Sequence, residues 1–482
     1  MTPVTHPFEL IGATFSLYPF GFVLQPLIEE VLREHGQMKW RKGTLLVPPL
    51  LVWLVLGLVM RRDKNVRSVL SWMVNGFRWL TVWFPAEHEL VAEGTISHAR
   101  KRLGLAIFRD LSAKVSNLSQ DVAPDFHGRT TVLFDGTTAT MPDTASNAEA
   151  FGKPGSRTGS SAYPQMRIMS LMVMSVRMIV DMAAAPYRGK GTGEKTLVRQ
   201  LLAQLRHQHL LIVMDAGLYA FDILWQILDK HCDCLLKVPG TVKKLTPLNY
   251  LPDGSYIALL RGKILDPDAH PTPSGRRKWR QEAITVRIIP VQIPGFRPFL
   301  LMTTMLDSAI DARTIALHYH RRWDIEIAYD EIKTHQCATL RGQMPTTFRS
   351  KCPDLVSQEL FAMLIVYNTT RYVIWQAATL HQIDPTHISF LDVWSQLIDS
   401  VSTLTALACA QPIEYAWHYL LALVAQCLID RPRRPRSNPR VVKVKMSKFL
   451  RKQPHHFSRI SDFAAQIFIT PPPLLALAFS SL

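Results

Sequence analysis

Two short apolar runs, each followed directly by an aspartate, constrain the fold of this chain more than any other feature. The first covers residues 131–134 and precedes Asp135; the second covers residues 210–214 and precedes Asp215. Continuous apolar runs without polar alternation are typical of strands buried on both faces of a sheet. A helix pattern at residues 197–205 lies between the two runs. This alternation predicts an α/β core.

The two aspartates stand where such a core binds ligands, because ligands of α/β sheets bind at the carboxyl ends of the strands. Gly136 follows the first aspartate and Ala216-Gly217 follows the second, and these small residues predict a sharp backbone turn at each place. Two carboxylates there suit magnesium, which prefers oxygen ligands and keeps several waters. For either aspartate taken alone, capping of the following helix is the more common alternative.

The segment before the core, residues 1–128, reads as helical. Its most apolar stretch, residues 50–60, is too short to span a bilayer and predicts a buried helix. Residues 95–104 predict a short capped helix that displays Arg100, Lys101 and Arg102 and ends at Gly104. Such a helix could lie on DNA, or it could be a solvated basic face, and the pattern does not separate the two.

The segment between the second aspartate and the next long helix is rich in strand and turn signals. The strand candidates are residues 235–238, 256–260, 283–289 and 299–303, with turns at residues 252–254 and 271–275. This pattern predicts a β insertion inside the α/β domain. After residue 355 the chain reads as helices, with a proline-broken basic run at residues 431–452 that contains no acid.

The charge balance indicates a polyanionic partner. Lys and Arg number 55 against 38 Asp and Glu, a formal charge of +17, and nucleic acid is the usual partner of so basic a protein. A basic protein with no such partner is the alternative. Six cysteines in 482 residues do not form a disulfide framework, so we read Cys232 and Cys234 as ordinary thiols in a reducing compartment. The N-terminus has no basic region of the kind that begins a signal peptide.

The helix predicted at residues 309–334 carries a mixed acidic and basic face. At about 100° per residue, Tyr319, Arg322, Glu326 and Lys333 fall on one narrow face. The opposite, apolar face consists of Leu317, Ile325, Ala328 and Ile332. Phosphodiester chemistry needs a carboxylate for metal and cations for the phosphates. The alternative for Arg322 and Glu326 is an ordinary i,i+4 ion pair.

The spacing Tyr319-x2-Arg322-x3-Glu326-x6-Lys333 resembles the YREK signature of the insertion-sequence-four family of bacterial DDE transposases. Residues 135–137 and 214–219 resemble the two aspartate segments of that family, although Ala216 stands where arginine is more common. Residues 97–104 and 50–60 resemble its N-terminal domain. The resemblance covers most of the chain and is weakest after residue 380.

This resemblance implies an RNase H-like catalytic core with a β-strand insertion, a helical N-terminal DNA-binding domain and a helical C-terminal region. The expected domains are residues 1–128, 129–380 (with the insertion at about 237–304) and 381–482, the last contributing to dimerisation or DNA contact. The expected catalytic and metal-binding residues are Asp135, Asp215 and Glu326. The expected DNA contacts are Tyr319, Arg322, Trp323, Lys333, Arg100 and Arg102.

The resemblance also implies cut-and-paste transposition of an insertion sequence by phosphodiester hydrolysis and strand transfer. The 3′-hydroxyl freed by the first nick is expected to attack the opposite strand and form a hairpin. Two divalent ions are expected, magnesium with manganese as a substitute. The expected partners are double-stranded DNA, as terminal inverted repeats and target, and a second copy in a homodimeric synaptic complex, with no membrane. The expected location is the bacterial cytoplasm, at the nucleoid. A stand-alone RNase H-like nuclease and an inactivated transposase acting as a DNA-binding regulator remain the alternatives.

Overall fold

The computed structural model describes most of the chain between residues 20 and 429 and a short segment near its end. The described residues are 20–41, 44, 46–70, 73, 93–156, 159–160, 163–242, 245–266, 278–293, 298–336, 338–339, 342–343, 346–400, 404, 413–429 and 467–469. They belong to two compact units that are both discontinuous along the chain. The first unit comprises Met1–Ala123, Gly136–Leu197 and Asp324–Ile429; the second comprises Pro124–Asp135, Val198–Trp323 and Asp430–Leu482.

The described strands form a mixed sheet, so the α/β prediction is confirmed at this level. In chain order they are β1 (Thr130–Thr140), β2 (Gln165–Val173), β3 (Ile179–Pro186), β4 (Leu210–Met214), β5 (Asp233–Lys237), β6 (Pro247–Tyr250), β7 (Tyr256–Leu265), β8 (Trp279–Gln292), β9 (Phe299–Thr303) and β10 (Phe468–Ile469). Their order across the sheet is β3-β2-β1-β4-β5-β9-β8-β7-β6, and β10 pairs with β8. Two short ribbons pair Gly155–Ser156 with Gly159–Ser160 and Ala338–Thr339 with Gly342–Gln343.

In the second unit, β1, β4 and β5 are parallel and the later strands are antiparallel. The β1–β4 register runs from Thr130 opposite Leu210 to Phe134 opposite Met214. All five residues of β4 are buried, which confirms the strand predicted from its apolar run. Strands β5, β9, β8, β7 and β6 follow with antiparallel pairing. The strand β6 had no sequence prediction.

Helix α7 (Phe221–Asp229) packs on β7 of this unit, where Gly262 leaves room for the Phe221 ring. An added Cβ at residue 262 would overlap that ring. Helix α8 (Ala312–His320) follows β9. The turn predicted at residues 252–254 is present, and the Asp253 carboxylate there pairs with the fully buried Arg287 of β8.

The first unit is mainly helical, and the 29-residue helix α10 (Pro353–His381) is its longest element. Its other helices are α1 (Gly21–Glu34), α2 (Pro48–Met60), α3 (Glu93–Leu103), α4 (Ala106–Ser116), α5 (Ala145–Phe151), α9 (Asp324–Asp330), α11 (Phe390–Asp399) and α12 (Ile413–Ala425). Helix α6 (Glu194–Gln204) begins in the first unit and continues into the second. Helix α10 packs against α2, α4 and α12, and most of its residues are buried. The apolar α2 is buried nearly throughout, as predicted.

Several local predictions need correction. Strand β1 does not turn after Asp135 but continues to Thr140. Residues 169–182, an apolar run of strand-like character in the sequence, form part of the hairpin β2–β3 rather than one strand. The helix predicted at residues 309–334 begins at Ala312 and is not a regular α-helix throughout, since it contains a 3₁₀ turn at Arg321–Trp323 and a π turn at Glu331–His335.

Some predicted features lie outside the described residues. They are the turn at residues 271–275, the basic run at residues 431–452 and most of residues 66–83, whose apolar residues have helical spacing in the sequence. In the part of the chain that the structure describes, no helix combines the length and apolarity needed to cross a membrane.

Candidate active site

Asp135 and Asp215 lie side by side in the second unit. Phe134 and Met214 are paired in the parallel β1–β4 register, and each aspartate is the next residue of its chain. Parallel strands are about 4.8 Å apart, and residues at matched register positions project to the same face. The two carboxylates therefore leave the sheet as neighbours. Asp135 is partly exposed and Asp215 is exposed, so both can meet a ligand from solvent.

The backbone around the two aspartates differs, for reasons that the sequence pattern did not show. Asp215 begins a short 3₁₀ turn and accepts a hydrogen bond from the Ala216 N–H at 2.7 Å, so it does cap the next element. Gly136 instead continues β1. An added Cβ there would lie 3.2 Å from the terminal methyl of Met169 and 3.3 Å from the Glu194 carboxyl. Gly136 thus permits close packing within the first unit rather than a turn.

Tyr319 and Arg322 join the two aspartates within the second unit. An Arg322 guanidinium nitrogen lies 3.9 Å from an Asp135 carboxylate oxygen. Burial raises the pKa of Tyr319 to about 12; Asp215 adds to this rise, and Arg322, which donates a hydrogen bond to the hydroxyl, opposes it. Tyr319 is therefore a neutral hydroxyl at physiological pH. Asp135, Asp215, Tyr319 and Arg322, four of the residues that the sequence analysis selected, therefore lie close together.

Arg322 is buried rather than displayed, which corrects the predicted exposed face. Its partner Asp135 is 187 positions earlier in the chain, so sequence spacing could not reveal the pair. The 3₁₀ turn at Arg321–Trp323 also has about three residues per turn, which alters the angles assumed for a regular α-helix.

Trp323, one of the expected DNA contacts, is 52% exposed rather than packed in the core. The carbon at the centre of the Arg322 guanidinium lies 4.8 Å from the centroid of the indole ring. This is a cation–π contact. An exposed aromatic face supported by an arginine is a surface on which a nucleic acid base can stack.

Glu326 lies on helix α9 of the first unit, and its side chain is exposed. Ile325 and Ala328 of the same helix are fully buried, while Leu317 and Ile332 are only partly buried. The predicted division into an apolar inner face and an exposed acid is therefore confirmed for α9.

Lys333 lies in the π turn and is held against β1 within the first unit. Its ammonium group donates to the Thr138 carbonyl at 2.7 Å and to the Thr137 hydroxyl. It also lies 5.9 Å from the centroid of the Tyr329 ring. Thr137 and Thr138 come directly after Asp135 and Gly136, and no sequence signal had linked them to Lys333.

The three consecutive basic residues of helix α3 are not all displayed on its surface, as the sequence had predicted they would be. Arg100 is 7% exposed and donates to Gln358 and the Leu355 carbonyl of α10, and burial lowers its pKa. The prediction that α3 displays Arg100 is therefore wrong. Lys101 and Arg102 are exposed. Gly104, with φ +86°, ends the helix as predicted, although α3 begins at Glu93, before the predicted cap.

The donor set suits a hard divalent cation. The two neighbouring carboxylates offer oxygen ligands, and magnesium is commonly held by one or two carboxylates together with waters and substrate phosphates. Among the described residues, no group of three or more His, Cys, Asp or Glu side chains lies close enough to bind an ion. Cys232 and Cys234 are buried free thiols, and burial raises the pKa of Cys234 to about 12, so both are ordinary thiols as predicted.

Comparison with known proteins gives matches along most of the chain. The model of the transposase DDE domain matches residues 126–369, and the model of the insertion element 4 transposase N-terminal domain matches residues 21–113. The transposase InsG for insertion sequence element IS4 of Escherichia coli (strain K12) is 28% identical over 443 residues, which are 90% of this chain and 93% of that protein. The putative transposase InsZ of the same strain is 28% identical over 149 residues, 30% of this chain and 48% of that protein.

A solved structure of a piggyBac transposase synaptic complex with hairpin DNA is also similar. The similarity covers 90% of this chain and 87% of the piggyBac transposase chain, at 9% sequence identity and a TM-score of 0.43. At that distance the likeness carries no argument.

The chain belongs to the transposase DDE domain family, whose model matches half of it. It is thus an enzyme that cuts DNA as an endonuclease and joins it as a strand transferase, using divalent metal ions. Within that class it is a transposase of the IS4 type, because its N-terminal segment matches the domain specific to that group and its relative InsG matches nearly from end to end. The resemblance seen in the YREK spacing is confirmed.

Proposed function

We propose that this transposase excises an insertion sequence at its terminal inverted repeats and inserts it elsewhere by cut-and-paste transposition. Asp135, Asp215 and Glu326 hold the metal ions, which are two magnesium ions with manganese as a substitute. The observation that carries the proposal is the pairing of β1 with β4, which makes Asp135 and Asp215 neighbours directly after the last paired residues of the two strands. Arg322 beside Asp135 supplies the cation that phosphate chemistry needs.

The assignment of Glu326 as the third ligand has three supports. It is an exposed carboxylate on a helix whose other face is buried. It comes four residues after Arg322, which contacts Asp135. It also occupies the glutamate position of the YREK spacing. The chain order of an aspartate within β1, an aspartate directly after the neighbouring strand β4 and then a glutamate on a helix supports an RNase H-like core at residues 129–380, with the insertion at about 237–304.

The residues around the carboxylates suit in-line transfer at phosphorus. Metal ions, when bound, would activate water and stabilise charge on the phosphate. In the first step, water attacks the phosphorus at the transposon end and the P–O3′ bond breaks, which leaves a 3′-hydroxyl and a 5′-phosphate. That hydroxyl then attacks a phosphodiester of the opposite strand, which forms a hairpin. A second water opens the hairpin and restores the 3′-hydroxyl at the transposon end, and this hydroxyl attacks target DNA. Each attack releases another 3′-hydroxyl, which takes up the proton.

Four side chains contact DNA in this proposal. Arg322 and Lys333 bind phosphates, and the Tyr319 hydroxyl, which is neutral at physiological pH, donates a hydrogen bond. Trp323 offers its exposed ring to a base. Arg322 and Lys333 have intramolecular partners, so DNA would have to replace the contacts with Asp135 and with Thr137 and Thr138.

The remaining parts of the proposal concern the rest of the chain and its partners. The helical segment 1–128 recognises the ends with exposed basic residues such as Arg102. Residues 381–482 support a homodimeric synaptic complex, and the protein acts at the nucleoid. The formal charge of +17 supports binding to a polyanion such as double-stranded DNA.

The test combines binding and cleavage on the same protein preparations. Asp135→Ala, Asp215→Ala and Glu326→Ala are each expected to abolish cleavage of an end fragment while a gel shift shows end binding retained. Asp229→Ala removes an exposed aspartate at the end of α7 and serves as the matched control with normal cleavage. Full cleavage by any of the three variants removes that residue from the site.

Strand transfer requires a second assay, because a simple nuclease would also pass the first. A labelled, pre-cut end is incubated with supercoiled plasmid and magnesium, and the products are separated on a denaturing gel. A covalent end–plasmid product is expected with magnesium or manganese and not with calcium, whose larger and looser coordination shell misplaces the nucleophile. Cleavage without any joined product would contradict the proposed cut-and-paste reaction.

A further inference from the structure

A buried cluster of charged side chains lies behind the helix that carries Glu326, and the chemistry proposed above does not use it. We call it the Arg177 cluster. Its members, all in the first unit, are Arg177 after strand β2, Asp324 at the start of α9, Glu331 at the start of the π turn, and Tyr367 and Arg371 of α10.

The cluster is tightly connected. Arg371, with its side chain 1% exposed, forms an ion pair with Glu331, whose side chain is 8% exposed. The Tyr367 hydroxyl lies 3.2 Å from the same Glu331 oxygen and 2.9 Å from the Arg177 carbonyl oxygen. Arg177 in turn lies 3.2 Å from the Asp324 carboxylate and 3.9 Å from that of Glu331. Because breaking a buried pair leaves an uncompensated charge, the arrangement strongly favours one geometry.

Arg177 contacts both ends of α9. Asp324 is the first residue of this helix, and Glu331 comes directly after its last residue. Residues seven apart lie on nearly the same side of a helix, whereas Glu326, two residues after Asp324, is about 200° around the axis. The cluster therefore binds the side of α9 that faces away from the exposed Glu326 and restricts rotation of the helix about its axis.

The π turn after α9 is attached to α10 as well. The Gln336 N–H donates to the Glu331 carbonyl at 2.8 Å, which closes the wide turn, and the Gln336 side chain donates to the Met363 carbonyl at 3.1 Å. Lys333 lies inside this turn and contacts β1. π turns are rare and are often found at functional sites, because they change which residues share a helix face.

We propose that the Arg177 cluster is a positioning device that sets the orientation of Glu326 for metal binding. The inference rests on the proposed role of Glu326 as a metal ligand. Arg177, Glu331 and Arg371 are positioning residues: their side chains are buried, and they act through the helix. A carboxylate ligand must be held to within about half an ångström of its productive place, and supporting contacts behind it provide that precision.

The experiment compares Glu331→Gln with Glu359→Gln in the full-length protein. Glu359 is the matched control, since it is also a buried carboxylate of the first unit, paired with the buried Arg62 at 3.3 Å. The rate of end cleavage is measured against manganese concentration, with end binding by gel shift and Tm recorded for each variant. For Glu331→Gln we expect about a tenfold to hundredfold loss in cleavage rate or in apparent manganese affinity, the range found when partners behind metal ligands are removed.

End binding should stay at the wild-type level for Glu331→Gln, since the residue is not a DNA contact. Glu359→Gln should lower the Tm and leave the manganese midpoint unchanged. A Glu331→Gln protein that is folded and has the wild-type manganese midpoint and cleavage rate overturns the inference.

A double variant separates positioning from simple stabilisation. Glu331→Gln combined with Arg371→Met removes both charges, so the Tm should recover relative to the single variant. The manganese midpoint should stay shifted, because the oriented ion pair is still missing; recovery of both the Tm and the midpoint would show a merely structural role. If Glu331→Gln does not fold, Tyr367→Phe replaces it, because this change removes one hydroxyl contact from the cluster. A manganese midpoint shifted to higher concentration in Tyr367→Phe supports the inference, and an unchanged midpoint overturns it.

Glu326→Ala distinguishes failure of this inference from failure of the proposed function. If Glu326→Ala still cleaves, Glu326 is not a metal ligand and both proposals fall. If Glu326→Ala is inactive while folded Glu331→Gln has both the manganese midpoint and the cleavage rate of the wild type, only the positioning role is lost.

Discussion

Replacing Arg322 by methionine is expected to increase the affinity of the DNA-free protein for divalent metal. The Arg322 guanidinium lies 3.9 Å from Asp135, so its positive charge is already close to a carboxylate that we propose as a metal ligand. A second cation approaching that carboxylate is repelled by the first. Methionine keeps the bulk of the side chain beside Trp323 but removes the charge.

The magnitude follows from the separation of the two charges. With an effective dielectric constant of about 20, a pair at this distance interacts with about 4 kcal/mol. Both side chains retain some exposure, 10% for Arg322 and 23% for Asp135, and measured values for partly solvated pairs are nearer 1 kcal/mol. A change of about 1 kcal/mol corresponds to about a fivefold lower Kd for the metal.

Calorimetric titration of the free protein with manganese chloride measures this effect. Arg321→Met is the control, because residue 321 is also an arginine but is exposed and belongs to the same 3₁₀ turn. At the same time Arg322→Met should cleave DNA more slowly, since the cation that faces the phosphate is gone. Manganese affinity equal to or weaker than that of the wild type would refute the electrostatic reasoning.

Three further predictions concern binding, folding and pH. Lys333→Ala should reduce the slope of log K against log salt by about 0.9 in end binding, as loss of one phosphate contact requires, and an unchanged slope would mean that its contacts with β1 are its whole role. Deleting residues 1–128 should give insoluble protein, because it uncovers the face of α10 that packs on α2 and α4; a soluble, cooperatively melting fragment would contradict this. Burial lowers the pKa of His318, stacked on Phe126, to about 3, so the folded state binds fewer protons and stability falls as pH drops below about 6.5. The loss from pH 7 to pH 5 should be about 2 kcal/mol in urea unfolding and should shrink in His318→Gln, whereas an equal loss in that variant would rule out His318 as the cause.

The sequence by itself determined the strands that carry the aspartates and the family of the protein. Residues 210–214 are all apolar, which predicted a buried strand, and the structure has β4 at the same residues. The buried helix α2 and the terminating Gly104 were equally local signals. The spacing from Tyr319 to Lys333 identified the family because it is a pattern along the chain, and the match to the transposase DDE domain agrees with it.

Tertiary structure alone decided how the side chains of the signature are used. Arg322 pairs with Asp135, Arg100 is buried against α10, and Lys333 is held by β1, and each of these partners is more than 180 residues away in the chain. The regular periodicity assumed for the helix also failed where a 3₁₀ turn and a π turn replace α-helical bonding.

The Arg177 cluster shows most clearly that sequence patterns do not reveal contacts between distant segments. Its members come from three separate segments, so no local pattern marked them. Periodicity and spacing reflect hydrogen bonding and burial within one segment of the chain. Ion pairs such as that of Glu331 with Arg371 form only when packing brings distant segments together and excludes water from them.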